Sequence, residues 1–197
     1  PVDVLLQPRD YLNSWLLYAG LVLGGLAAIF SFTGFTAPAF TSFAPIISGG
    51  NPTPFWPVIP LIIACGSLSG FHALVGSGTT AKQLDSEKAG LPIGYGAMLL
   101  EGFLSTTVVI AVAGFGITVM TEAGAEISAA TWGQGYTAAM QSTYPSAAMF
   151  TQTYAAMVHS TWLAFIPRDI VTVIAGMWVA SFALTTLDTT NRLARYT

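Results

Sequence analysis

The chain has 197 residues, of which 53% are hydrophobic and only 8% charged, with a formal net charge of -3. Soluble domains carry about 25% charged residues, so this composition, with a mean hydropathy of +0.66, excludes an ordinary soluble domain and implies a membrane protein. Six Lys and Arg residues in all exclude a nucleic-acid partner, which needs clustered cations. The single cysteine, Cys65 in an apolar run, gives neither a disulfide framework nor a thiolate metal site.

The opening "PVDVLLQP" has no charged n-region or cleavage site. It reads as the tail of an earlier element, so a fragment of a longer protein is expected. From Tyr11 to Ala81 there is no Asp, Glu, Lys or Arg. A spanning helix needs about 20 mostly apolar residues, and the first is predicted over 11–32. The segment "SGGNPTPFWP" follows, and its three prolines forbid a continuous helix. A second span is predicted over 56–75, with Trp56 as an interfacial anchor. "KQLDSEKAGLP" then reads as a loop, and a third span is predicted over 93–120.

The stretch 121–167 begins too polar to span and continues as "AAMFTQTYAAMVHSTWLAF". Counting Lys and Arg decides how to read it, because these residues collect at cytoplasmic helix ends. If the stretch does not cross, Arg9, Lys82, Lys88, Arg192 and Arg195 share one side, with only Arg168 opposite. If it crosses, Arg192 and Arg195 move to the other side and Arg168 joins the first. The first arrangement is more lopsided, so 121–167 is expected to be an outer loop containing a surface helix. A fourth span is predicted over 170–187.

Chemistry-bearing residues concentrate in "ACGSLSGFHALVGSGTT" (residues 64–80), where Gly66, Gly70, Gly76 and Gly78 lie among Ser67, Ser69, Ser77, Thr79 and Thr80. Gly66 and Gly70 form a small-xxx-small pair that permits close helix packing. Four glycines also weaken a helix by roughly 1 kcal/mol each. Broken backbone at membrane depth is tolerated only against protein or a water-filled cavity. His72 either hydrogen-bonds a neighbouring helix or faces such a cavity as part of a pathway. His159 carries less weight, since an interfacial helix accommodates histidine cheaply. Glu101, within the third span, either carries a proton with its pKa raised by desolvation or pairs with Lys82 or Lys88. Ser181, Thr185 and Thr186 are hydroxyls on the fourth span, and such groups often bond only to the preceding turn. Asp188 and Arg192 have the spacing of a surface pair. "GSLSG" and "VGSGT" do not fit a nucleophile elbow, and no phosphate loop, zinc spacing or dinucleotide fingerprint is present, so no enzyme and no cofactor are expected.

The run "FWPVIPLIIACGSLSGFHALVGSGTTAKQLDSEKAGLPIGYGAMLLEGF" resembles the carbon starvation protein A family of bacterial and archaeal inner-membrane transporters. "LLQPRDYLNSWL" and "SFALTTLDTTNRLARY" resemble two further family signatures, while 121–167 matches least. The resemblance implies ion-driven import of peptides or pyruvate-like carboxylates, with a proton or sodium ion coupled, by a multi-pass protein of the prokaryotic inner membrane. Its partners would be the bilayer, the small substrate and the remaining helices of a longer transporter. The implied fold is all-α, as in the amino acid–polyamine–cation superfamily (LeuT-like), with two inverted five-helix repeats. In it the four spans would be the fifth to eighth helices, the sixth unwound at mid-membrane. Gly66, Ser69, Gly70, His72, Ser77, Thr79 and Thr80 would then bind substrate, Glu101 would couple the ion, and Ser181 and Thr185 would contribute an ion site. The competing expectation is a non-transporting scaffold or partner subunit whose small residues serve helix packing alone.

Overall fold

In the computed structural model the described residues are 2–44, 53–67, 70–142 and 145–194. All of their regular elements are helical. They are α1 (Val2–Ser31), α2 (Phe55–Ser67), α3 (Gly70–Val75), a π turn (Gly76–Thr80), α4 (Ala81–Gln83), α5 (Gly90–Glu122), α6 (Trp132–Ser142), α7 (Ser146–His159) and α8 (Arg168–Leu193). Short 3-10 turns at Glu87–Ala89 and Trp162–Phe165 precede α5 and α8. Among the described residues, three helical stretches are long and apolar enough to cross a membrane: Pro8–Ser31, Glu87–Glu122 and Arg168–Asn191. They coincide with the first, third and fourth predicted spans. The second, 56–75, falls across α2, α3 and residues outside the description. Its apolar helical part there, Phe55–Ala64, is shorter than a span. Trp56, just ahead of Pro57, is extended (φ -103°, ψ 132°), as steric clash with a following proline favours.

The helix ends follow from local chemistry. α1 stops where the Ser31 hydroxyl donates to the Ala27 carbonyl (2.6 Å) and Gly34 takes φ +140°. α5 closes in a Schellman motif. Gly124 sits at φ +86°, its N–H bonds the Thr121 carbonyl, and the Ala125 N–H reaches back to Met120, both at 3.0 Å.

The chain divides into two compact units, one of Pro1–Thr41 with Phe103–Leu184 and one of Ser42–Gly102 with Thr185–Thr197. In the first, α7 is keyed into a glycine-lined side of α1. The Tyr154 hydroxyl donates to the Gly20 carbonyl at 2.7 Å. Gly20 leaves room for the Trp178 ring, Gly24 for the Tyr154 ring and Thr107, and Gly25 for Phe103. Phe150, Tyr154 and Trp178 form a ring cluster with centroids 5.7 to 6.0 Å apart. The contacts advance together along α1 and α5, from Gly25 against Phe103 to Phe32 against Gly114, so the two helices run parallel. α8 starts beside the end of α5, where Arg168 donates to Glu122, and its Trp178 lies against Gly20, so it runs the other way. A second cluster holds Met120 and Met149 against Trp132 and Tyr136.

The stretch 121–167 therefore contains helices, as expected, but α7 differs from a surface helix. Met149, Thr151, Thr153, Tyr154, Ala155, Met157 and Val158 are all buried. Its hydroxyls explain the difference. Thr151 donates to the Ala148 carbonyl (2.9 Å) and Thr153 to Met149 (2.8 Å), so each is satisfied inside its own helix and presents mainly a methyl group to the core.

In the second unit the π turn links α3 to α4, and a Cβ on Gly78 would meet Leu193 Cδ2 at 3.2 Å. The predicted loop 82–92 is largely helical, with Ser86 accepting from the Lys88 N–H (3.2 Å) just ahead of α5. Phe43 and Phe55 meet edge to face at 6.2 Å.

Candidate functional site

The glycine-rich stretch departs from regular α-helix at Gly76–Thr80, where the chain forms a π turn. Two local causes are visible. Gly76 and Gly78 have little preference for the α conformation, and the Ser77 hydroxyl donates to the Ala73 carbonyl (2.9 Å), competing for a ladder acceptor. A π turn bonds i to i+5 and recurs at functional positions inside helices. It also carries an extra residue, so the side chains of α3 do not continue past Thr80 at α spacing.

The other expected substrate residues are placed as follows. Gly66 lies in the last turn of α2 and Gly70 opens α3, and Ser69 lies outside the described residues. His72 is exposed on α3 and Ser77 is exposed on the π turn, while Thr80 at its end is half-buried. Thr79 belongs to the same turn, its side chain outside the description. A Cβ on Gly76 would meet nothing within 4 Å, so His72, Gly76 and Ser77 together present an open surface. No group of three or more His, Cys, Asp or Glu that could hold a metal occurs among the described residues.

Of the three ion-coupling candidates, Glu101 on α5 is exposed, and Ser181 and Thr185 on α8 are half-buried. Glu101 and Thr185 belong to the unit that carries the π turn, and Ser181 to the other. Ser181 and Thr185 are one helical turn apart. The Thr185 carbonyl accepts from the Thr189 hydroxyl at 3.0 Å.

Two features of the first unit had no sequence counterpart. Thr36, just beyond α1, is fastened to the last third of α5: its N–H and that of Ala37 both donate to the Ala113 carbonyl at 3.0 Å, and its hydroxyl donates to Ala113 (3.0 Å) and Gly114 (3.1 Å). Glu122 and Arg168 close the ends of α5 and α8 onto each other. Each charge opposes its own helix dipole, so the pair relieves both ends. Burial pushes the hydroxyl pKa of Tyr136 and of Tyr154 up from the ordinary tyrosine value.

The comparisons agree with the helical, membrane-length architecture. The family model described as "Carbon starvation protein CstA" matches residues 1–197. The chain is similar to the peptide transporter CstA of Bacillus subtilis strain 168, 43% identical over 117 residues, which cover 56% of this chain and 19% of that protein. It is also similar to the peptide transporter CstA of Escherichia coli K12, 40% identical over 109 residues, 53% of this chain and 15% of the relative. The pyruvate/proton symporter BtsT of the same strain is 40% identical over 114 residues, 56% of this chain and 16% of the relative. The matched part is thus less than a fifth of each of these relatives. No solved structure matches the chain. With its whole length matched by the family model, the chain belongs to the carbon starvation protein CstA family.

Proposed function

We propose that this chain forms part of a secondary transporter that imports peptides or pyruvate-like carboxylates across a prokaryotic inner membrane, driven by a proton or sodium gradient. The observation that carries the reading is the family match over residues 1–197, together with relatives named as peptide transporters and as a pyruvate/proton symporter. Relatives of this kind are transporters, not enzymes. Three membrane-length helices supply the physical setting.

Within that reading the π turn and its neighbours offer the substrate surface. Opened backbone at membrane depth exposes amides and carbonyls that can replace a substrate's water. The exposed His72 and Ser77 beside it support polar contacts there, with Gly66, Ser69, Gly70, Thr79 and Thr80 on the same stretch. Glu101 is the proton-coupling candidate, as the one carboxylate within the predicted span 93–120. Ser181 and Thr185 are the ion-site hydroxyls. The second predicted span would be the unwound sixth helix of a LeuT-like inverted-repeat fold, with 121–167 as its helical outer loop.

The test is uptake by the full-length protein in liposomes, comparing pyruvate with di- and tripeptides under imposed proton or sodium gradients. Accumulation of one class under one gradient is expected, and Glu101→Gln should abolish its proton dependence. Full proton dependence in that variant removes Glu101 from the mechanism.

A further inference from the structure

α7 carries a polar side chain at membrane depth that nothing in its own unit satisfies. The depth follows from two spans. Gly20 lies midway along Pro8–Ser31, and Trp178 lies near the middle of Arg168–Asn191. These midpoints meet, since a Cβ on Gly20 would stand 2.9 Å from the Trp178 ring, and together they mark the centre of the apolar layer. The Tyr154 hydroxyl bonds the Gly20 carbonyl there. The Phe150 and Tyr154 rings lie 6.0 and 5.8 Å from that of Trp178. Gln152 falls between them on α7, two residues or about 3 Å along the axis from each.

α7 is enclosed on most sides. Over 148–158 every residue is buried or belongs to the ring cluster except Ala148, Gln152 and Ala156, which are half-buried. These three and the exposed His159 fall within about 80° of the helix circumference, with Gln152 near the centre of the strip. The strip is unlike a lipid face. The exposed sides of α1 and α8 carry large apolar side chains such as Leu26, Ile29, Val173 and Met177, whereas this one carries two alanines, an amide and an imidazole. The Thr151 and Thr153 hydroxyls on either side bond within the helix, but the Gln152 amide makes no hydrogen bond among the described residues. Lipid offers an amide no partner, and polar side chains at this depth face the protein interior or a water-filled cavity.

The amide's own chemistry selects what it holds. A carboxamide presents N–H donors and a carbonyl acceptor in one plane. One residue of an extended peptide presents its N–H and its C=O on the same side, the arrangement that lets paired strands exchange two bonds at once. A carboxylate such as that of pyruvate offers acceptors only and leaves the Gln152 carbonyl unmatched. Alanines one turn away on both sides let a ligand backbone come close.

We propose that Gln152 binds the transported solute at mid-membrane, by a two-bond pairing of its amide with one residue of a peptide. The assignment rests on the transporter reading, narrows it to peptides and adds a contact residue outside 66–80.

The experiment reads binding and uptake separately on the full-length protein, with trialanine as the probe and Gln152→Leu as the variant that removes the amide. Calorimetric titration in nanodiscs should show binding weakened about tenfold in the variant, the loss of two hydrogen bonds. Equal affinity, or no binding of trialanine to the parent, overturns the proposal. Unfolding temperature without peptide separates the ligand from a neighbouring helix. If another helix of the full-length protein held the amide, Gln152→Leu would unfold at a lower temperature than the parent, and that result overturns the proposal. An amide that waits for a ligand predicts an unchanged or higher unfolding temperature, because leucine costs less to bury than an unpaired amide. Uptake in liposomes tests the transporter reading by itself. Binding without uptake by the parent removes that reading and leaves the Gln152 contact, and uptake with unweakened binding in the variant removes the contact alone.

Discussion

Replacing Tyr154 by Phe removes one oxygen and leaves the ring in place, so it isolates the bond that ties α7 to α1. The hydroxyl is buried and donates to the Gly20 carbonyl at 2.7 Å. That carbonyl lies inside α1 and keeps its partner in the helix ladder, so the substitution orphans no acceptor. The cost is then the bond alone, about 0.5 to 1.5 kcal/mol, and nearer the lower end, since hydrogen bonds between helices of a membrane protein average about 0.6 kcal/mol. Gly24→Ala is the opposite perturbation: it keeps every hydrogen bond and adds one methyl. The new Cβ would stand 2.7 Å from the Tyr154 ring and 2.9 Å from the Thr107 methyl. Overpacking of this kind costs about 1 to 3 kcal/mol, against a gain of up to about 1 kcal/mol in helix propensity. Denaturant titration of the full-length protein in mixed micelles should rank Gly24→Ala as more destabilising than Tyr154→Phe. The Gly24→Ala/Tyr154→Ala double variant should cost less than the sum of its parts, because the second change removes the closer of the two clashes and leaves only the Thr107 methyl. A neutral or stabilising Gly24→Ala, or strict additivity in the double variant, would mean that α7 is not seated in the glycine groove.

Two further outcomes are expected. Glu122 and Arg168 have side chains 52% and 29% exposed, so a cycle of Glu122→Gln and Arg168→Gln should show coupling of only about 0.2 to 1 kcal/mol, fading in high salt; coupling that persists at 1 M salt would contradict an exposed pair. Gly78→Ala places a methyl 3.2 Å from the mobile tip of Leu193, which can shift, while favouring α over π geometry. The variant should be as stable as the parent in thermal unfolding but slower in uptake, and unchanged uptake would remove the π turn from the transport cycle.

Hydropathy is a sum over neighbours in sequence, which is why α1, α5 and α8 were legible from composition alone and their ends moved by only a few residues at most helix boundaries. α7 was not, because the polarity of Thr151 and Thr153 is a property of the side chain, whereas its satisfaction by the preceding turn is a property of the folded helix. Once those hydroxyls bond to Ala148 and Met149, a stretch that looks interfacial behaves as core. The clustering of glycines and hydroxyls over 66–80 pointed to a departure from α geometry, and the π turn lies at its end. The form of the departure was not readable, since it depends on which carbonyl the Ser77 hydroxyl takes. The fastening of Thr36 to Ala113 spans 77 residues, and no periodicity carries it.

Arg9 and Lys88 fall on one side in the expected charge arrangement, so that the first and third spans point the same way. The paired progress of Gly25 with Phe103 and Gly114 with Phe32 likewise runs α1 parallel to α5. Between α5 and α8, the longest helix is α7, with 14 residues, about 21 Å of helix against an apolar layer of about 30 Å. The Glu122–Arg168 pair returns the chain to the level at which it left α5. Both features describe the two ends of the stretch 121–167 brought together at one level. Arg168 finds its partner at that level in Glu122, the carboxylate that the Schellman turn of α5 delivers there.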